Sequence, residues 1–166
     1  MIVMMAGLPG TGKSTLARAL AKRTLGVVLD KDEIRRALFP PPDIEYSTGQ
    51  DDFVMEVMLK TAGYLLRKDP ARYVFLDGRP FSQRYQLERV MEHAKELGQE
   101  WRIVECVCSE ETARRRIEEQ GHPAGNRDFA LYLRVKARFE EIDFPKLVVD
   151  TERPLDECAE LALASL

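Results

Sequence analysis

Short apolar runs rich in β-branched residues alternate along the chain with longer segments whose apolar positions recur at helical spacing. The runs Ile2–Ala6, Val27–Leu29, Tyr73–Leu76, Ile103–Cys108 and Leu147–Val149 have the length and near-continuous hydrophobicity of buried strands. The segments Lys13–Thr24, Asp32–Leu38, Asp51–Lys68, Gln83–Leu97, Glu110–Gln120, Arg127–Ile142 and Pro154–Leu163 predict helices. Strand and helix in alternation require crossover connections, hence a parallel sheet covered on both faces, an α/β fold. Two stretches break the alternation. Phe39–Gln50, FPPPDIEYSTGQ, carries three consecutive prolines and reads as a surface loop. Gly121–Asn126, GHPAGN, separates two charged helices and reads as the tip of a hinged hairpin. Loops over a rigid sheet are where binding concentrates, so both are expected near a ligand.

Composition narrows the picture without changing it. The 166 residues fit one domain, 1–166, at 45% hydrophobic and 32% charged. A net charge of −3 argues against a protein that grips long nucleic acids, although a local basic cleft remains compatible with it. Three cysteines are too few for a disulfide framework, and Cys106 and Cys108 have the spacing of one strand face rather than of a metal site. Met1–Ala6 has no basic leader character and no run reaches the length of a membrane span, so a cytoplasmic, reducing location is expected and no membrane partner.

Gly7-Leu8-Pro9-Gly10-Thr11-Gly12-Lys13-Ser14 matches G-x-x-x-x-G-K-[ST] between a predicted strand and a predicted helix. Glycines let successive backbone N–H groups turn inward as a nest for phosphate oxygens at a helix N-terminus. Lys13 adds a mobile positive charge for β- and γ-phosphates, and the Ser14 hydroxyl suits Mg²⁺. The nucleotide-binding set read here is Gly7, Pro9, Gly10, Thr11, Gly12, Lys13, Ser14 and Thr15. A guanine-specific N-K-x-D is excluded, because Asn126 is the sole asparagine and sits in Gly125-Asn126-Arg127-Asp128. A small phosphotransferase using ATP and Mg²⁺ remains.

Its acceptor side has to come from strand ends. Asp30, followed by Glu33, has capping-box spacing and reads as a helix cap. Asp32 is surplus to that need and is the candidate base, with Arg35 one turn on as a candidate contact for an acceptor anion. Asp77 ends an apolar strand and reads either as an Mg²⁺ or acceptor contact or as a cap for the next helix, and Arg79 beside it is a second acceptor candidate. In CSEETARRRIEEQ Arg114 and Arg115 have acidic i,i+4 neighbours, whereas those of Arg116, Thr112 and Gln120, are neutral. Arg116 is therefore the candidate for meeting a transferring phosphate from a closing lid, with Arg127 as the second. His93 and His122 form no triad and no metal cluster.

The stretches Gly7–Ser14, DKDEIR, EYSTG, VFLDGRPFSQR, CSEETARRRI and VVDTERPLDE together resemble the small P-loop kinases of the AAA-type ATPase or predicted-kinase group. The sequence is similar to the kinase domain of phage polynucleotide kinase, to chloramphenicol phosphotransferase, to zeta-toxin kinases and, more distantly, to gluconate and adenylate-type kinases. The resemblance implies a three-layer α/β/α P-loop fold, a five-stranded parallel sheet of order 2-3-1-4-5 and a short helical lid near residues 114–128. It implies Asp32 as general base, Arg35 as substrate contact and the loop around Asp150–Pro154, with Thr151, against the adenine. The usual R-x-x-x-R of the lid keeps Arg116 but has Gln120 at its second position. The expected activity is transfer of the γ-phosphate of ATP to a hydroxyl of a small molecule. Its rivals are a polynucleotide 5′-hydroxyl kinase and an ATP-binding regulatory switch with little transfer.

Overall fold

The computed structural model describes residues 1–119 and 128–166; the expected hairpin tip Gly121–Asn126, with Gln120 and Arg127, lies outside the described residues. Five strands, β1 (Ile2–Ala6), β2 (Val27–Asp30), β3 (Val74–Asp77), β4 (Trp101–Val107) and β5 (Leu147–Asp150), form one parallel sheet in the order β2-β3-β1-β4-β5. The described helices are α1 (Lys13–Thr24), α2 (Lys31–Leu38), α3 (Thr48–Lys68), α4 (Arg84–Glu96), α5 (Glu110–Glu119), α6 (Phe129–Lys136) and α7 (Leu155–Leu163).

β1 is the centre, and each of its residues is fully buried. Because side chains alternate along a strand, Ile2, Met4 and Ala6 face Val54, Met58 and Ala62 of α3 and Leu87, Val90 and Ala94 of α4. Val3 and Met5 face Leu16 and Leu20 of α1 and Cys158, Ala159 and Ala162 of α7. The result is the three-layer α/β/α sandwich, which explains why the strands read as continuous apolar runs. Among the described residues no helix is long and apolar enough to cross a membrane.

Boundaries differ from the sequence reading for local reasons. α3 starts at Thr48 instead of Asp51, because the Ser47 hydroxyl caps it, accepting from Gln50 N at 3.2 Å. The proline run holds one 3₁₀ turn, Pro41–Asp43, since the fixed φ of proline suits a first turn. α6 ends at Lys136 instead of Ile142. The chain there turns to bond Glu140 N to Ser82 O at 2.8 Å and to bury Ile142 in the core.

Parallel strands bring all their C-terminal ends to one edge, where crevices form in such sheets. There β1 leads into residues 7–12, β2 and β3 end on Asp30 and Asp77 in register, and β5 leads to Thr151.

Candidate active site

The Gly7–Ser14 loop wraps from β1 into α1. Gly7 has φ +126°, and a Cβ there would lie 2.3 Å from the Cys106 carbonyl oxygen, so only glycine fits. Its N–H donates to Pro80 O at 3.0 Å, tying the loop to the segment after β3. Gly12 is the left-handed N-cap of α1, φ +78°, with no side-chain cap bond and no acidic residue in the first turn. The first N–H groups of α1 therefore keep their capacity for an anion. The Thr11 hydroxyl donates to Leu8 O at 2.7 Å, and the buried Lys13 Nζ donates to Leu8 O at 2.6 Å and to Thr11 Oγ1 at 3.4 Å. Pro9 is buried at the loop's turn.

A cleft of about 570 Å³ opens beside this loop, lined by Gly10, Gly12, Lys13, Ser14 and Thr15 on one side and by Arg116, Thr151 and Leu155 on another. Arg116, on α5, donates to Thr151 Oγ1 at 2.9 Å, to Thr151 O at 2.8 Å and to Gly10 O at 3.5 Å. Thr151 Oγ1 in turn donates to Thr11 O at 2.9 Å. Arg116 thus stands over the loop that follows β5. A second contact fixes that arrangement: the Glu152 carboxylate accepts from Ser109 Oγ at 2.7 Å and from the Thr112 hydroxyl, docking the start of α5 on the β5–α7 loop. The bonds from Thr112 and Ser109 hold the Glu152 carboxyl below the usual carboxylate range.

Next to the cleft is a smaller recess of about 120 Å³, lined by Pro9, Lys13, Lys31, Asp32, Arg35, Tyr46, Asp51, Gly78, Pro80, Leu131 and Val135. Lys13 and Asp32 line both spaces, so they mark the seam between them. The assignment of Asp30 as a cap holds, its carboxylate accepting from Asp32 N at 2.8 Å and Glu33 N at 3.2 Å. That cap leaves the Asp32 side chain, 14% exposed, to face the seam. Arg35, 1% exposed, donates to Asp32 Oδ1 at 2.9 Å and to Asp51, with its guanidinium 5.3 Å from the Tyr46 ring centre. Lys31 Nζ reaches the same Asp51 oxygen at 2.7 Å.

Asp77 is 1% exposed, and neither of its carboxylate oxygens has a hydrogen-bond partner among the described residues. It is not the cap of α4, whose N-cap is Gln83. It ends β3 in register with Asp30 at the end of β2. A buried carboxylate of this kind calls for a partner supplied from outside the protein, a water or a cation. Ser14 stands in the cleft wall whereas Asp77 lines neither space; each carries an oxygen of the kind Mg²⁺ takes beside its waters and phosphate oxygens. Among the described residues no three His, Cys, Asp or Glu side chains are grouped to hold a metal by themselves.

Arg79 lines neither space. It is 4% exposed and held by Asp52 at 2.7 Å and by Tyr85 Oη at 3.1 Å, joining α3 to α4. Arg127 lies outside the described residues. All three cysteines are free thiols. The site also holds Lys31, Tyr46, Asp51 and Glu152, which sequence reasoning does not single out. Lys31, Tyr46 and Glu152 lie inside the stretches DKDEIR, EYSTG and VVDTERPLDE, and that membership is the hint the sequence holds for them.

No curated protein matches the chain. Solved structures do, at identities that show the fold alone. A kinase-like protein from Chloroflexus aurantiacus is 21% identical with a TM-score of 0.77, covering 99% of this chain and 97% of its own. A gluconokinase from Sinorhizobium meliloti is 20% identical with a TM-score of 0.69, over 98% and 89%. The APS kinase CysC of Mycobacterium tuberculosis, in complex with AMPPNP and APS, is 19% identical with a TM-score of 0.71, over 98% and 95%. The sequence profile of the AAA domain matches residues 2–142, from β1 through α6. The chain therefore belongs to the AAA domain family, and its fold is that of the small P-loop kinases.

Proposed function

We propose that the protein is an ATP-dependent kinase that transfers the γ-phosphate to a hydroxyl of a small molecule. The observation that carries this reading is the seam: Lys13 and Asp32 belong to the walls of both the nucleotide-sized cleft and the smaller recess beside it. A phosphate held at Lys13 and a hydroxyl held at Asp32 meet there.

The loop amides and the start of α1 hold the phosphates, and Lys13 leaves Leu8 O to reach the β- and γ-oxygens. Thr151 borders the other end of the nucleotide, and Arg116, bonded both to Thr151 and to Gly10 O of the phosphate loop, stands between the two ends. Asp32 accepts the proton of the acceptor hydroxyl as its oxygen forms the new bond to γ-phosphorus. The bond from γ-phosphorus to the bridging oxygen breaks, and ADP departs with that electron pair. Ser14 and, through water, Asp77 would hold Mg²⁺, which neutralises charge on the phosphates when bound. The neighbours support this reading, since the APS kinase structure carries AMPPNP with a small acceptor and another neighbour is a gluconokinase. The small recess, with Leu131 and Val135 in its wall, favours a small acceptor over the 5′ end of a polynucleotide.

The test is to incubate the protein with Mg²⁺ and γ-labelled ATP in parallel with a panel of small hydroxyl compounds and a 5′-hydroxyl oligonucleotide. Label on a small compound supports the proposal, and label on the oligonucleotide replaces it with the polynucleotide reading. Tight ATP binding with label on no acceptor overturns it in favour of a switch.

A further inference from the structure

The recess contains a contact that the transfer reaction does not use. One oxygen of Asp51, on the first turn of α3, takes bonds from two buried cations at once, Lys31 Nζ at 2.7 Å and an Arg35 Nη2 donor. Lys31 and Arg35 are four residues apart on α2 and share its inner face, with side chains 7% and 2% exposed. The lining of the recess carries three cations, Lys13, Lys31 and Arg35, against two carboxylates, Asp32 and Asp51.

Of these five, Lys31, Asp32, Arg35 and Asp51 pair with one another and differ in exposure. Asp32 is fixed beside its own helix by Arg35 at 2.9 Å. Asp51 is the most exposed of the four, at 26% of its side chain, and follows the proline-rich loop. Its exposure leaves it open to solvent on one side, whereas Lys31 and Arg35 are enclosed. Without Asp51 the two buried cations share the single Asp32 oxygen, Arg35 at 2.9 Å and Lys31 at 3.7 Å, and this excess of buried positive charge favours another oxyanion in the position Asp51 leaves. Arg35 Nε is also buried without a hydrogen-bond partner among the described residues. A single Asp51 oxygen leaves that donor unused, whereas a carboxylate or phosphate with several oxygens can engage it and Nη2 together. Leu131, Val135 and Pro80 line the same recess and keep water from weakening such a pair.

We propose that Lys31 and Arg35 form the seat of an anionic group on the acceptor, and that the Asp51 carboxylate occupies that seat until the acceptor's carboxylate or phosphate displaces it. The acceptor is then a small hydroxy acid or a phosphorylated hydroxy compound, its anion on Lys31 and Arg35 and its hydroxyl turned to Asp32. The hydroxyl end of this inference rests on the kinase reading, and the anion seat does not. Asp51 also becomes a specificity filter, since a neutral polyol offers nothing to exchange for it.

The probe is inorganic phosphate, titrated by calorimetry into the full chain already saturated with Mg²⁺ and AMPPNP, so that the glycine-rich loop is blocked. Asp51→Asn is expected to bind phosphate at least about tenfold more tightly than wild type, because it loses the competing charge. Adding Lys31→Gln to Asp51→Asn is expected to abolish that gain. Phosphate binding by Asp51→Asn no tighter than wild type overturns the proposal. Should Asp51→Asn fail to fold by circular dichroism, the wild-type protein decides: kcat/KM for glycerate is expected to exceed that for glycerol by at least about tenfold, and equal values overturn the seat. The titration needs no turnover. An anion seat in a protein that labels no acceptor leaves this inference standing and removes the kinase reading. Turnover of neutral and acidic acceptors alike, with phosphate binding unaltered in Asp51→Asn, removes the seat and leaves the kinase.

Discussion

Replacing Asp32 by asparagine separates its chemistry from its packing. The carbonyl oxygen of the introduced amide can still accept the 2.9 Å bond from Arg35, and Arg35 keeps its pairing with Asp51, so the buried guanidinium is not left alone. What is lost from folding is the charge-assisted part of one hydrogen bond, on the order of 1 kcal/mol. In a chain of this size that lowers Tm by about 2–4 °C. What is lost from catalysis is larger, because an amide cannot take the acceptor's proton. A positioned base contributes about 10²–10⁴ in rate, equivalent to roughly 3–5 kcal/mol of barrier. The nucleotide phosphates are held by the loop amides and Lys13, which the substitution leaves in place. Asp32→Asn is therefore expected to lower kcat at least about 100-fold, with AMPPNP affinity within about threefold of wild type. Steady-state transfer with the identified acceptor, calorimetric AMPPNP binding and thermal unfolding are measured on the same preparation. A kcat within about threefold of wild type refutes Asp32 as the base, and a parallel loss of AMPPNP binding refutes the separation of nucleotide and acceptor sides at the seam.

Arg116→Ala removes the two bonds to Thr151. It is expected to raise KM for ATP about tenfold with kcat changed less than about threefold, whereas a kcat loss of about 10³ would show that this arginine meets the transferring phosphate instead. Gly7→Ala places a Cβ 2.3 Å from Cys106 O at φ +126°, so the loop must shift; AMPPNP binding should be lost, and wild-type affinity by calorimetry would refute the fit. The Glu152 carboxyl, held by Thr112 and Ser109, has a folded-state pKa below the ordinary glutamate value. Its contribution is therefore fully present above that ordinary value and lost as pH falls through the folded one. Thermal scans from neutral to acid pH should show a shallower loss in Glu152→Gln than in wild type, and identical slopes would refute the clasp on α5.

The layered fold was legible because its signals are local. The burial of β1 on both faces is written as an unbroken apolar run, and alternation with helices leaves a parallel sheet as the arrangement that covers both faces. Helix starts were less legible where a cap and a proline run compete, as at Ser47, which gains three residues of helix over the expected Asp51 start. The strand order 2-3-1-4-5 was another matter. Nothing in the spacing of the runs requires β3 to enter between β2 and β1, and that expectation came from resemblance to known kinases.

At the site, legibility tracked how many segments had to meet. The phosphate loop is one contiguous stretch that spacing alone brings out. Asp30, Asp32 and Arg35 share one strand-to-helix turn, where spacing gave the Asp30 cap and the resemblance supported the expected roles of Asp32 and Arg35. The partner of Arg116 is Thr151, distant in sequence, and a search of i±4 neighbours could only report that Arg116 lacked a helical partner. The same error of scale affects the other lid charges. Glu110 pairs with Lys136 at 2.6 Å, and Arg114 lies 4.0 Å from the centre of the Phe129 ring, so α5 commits these groups to α6. The recess draws on Lys31 and Arg35 from α2, Tyr46 and Asp51 around the start of α3, Gly78 and Pro80 after β3, and Leu131 and Val135 from α6. Each segment is ordinary alone; a lysine before an aspartate and an aspartate in a first helical turn occur on any solvated surface. Their meaning lies in one shared carboxylate oxygen between two buried cations, and that is a property of how α2 meets α3, which no single window of the sequence contains.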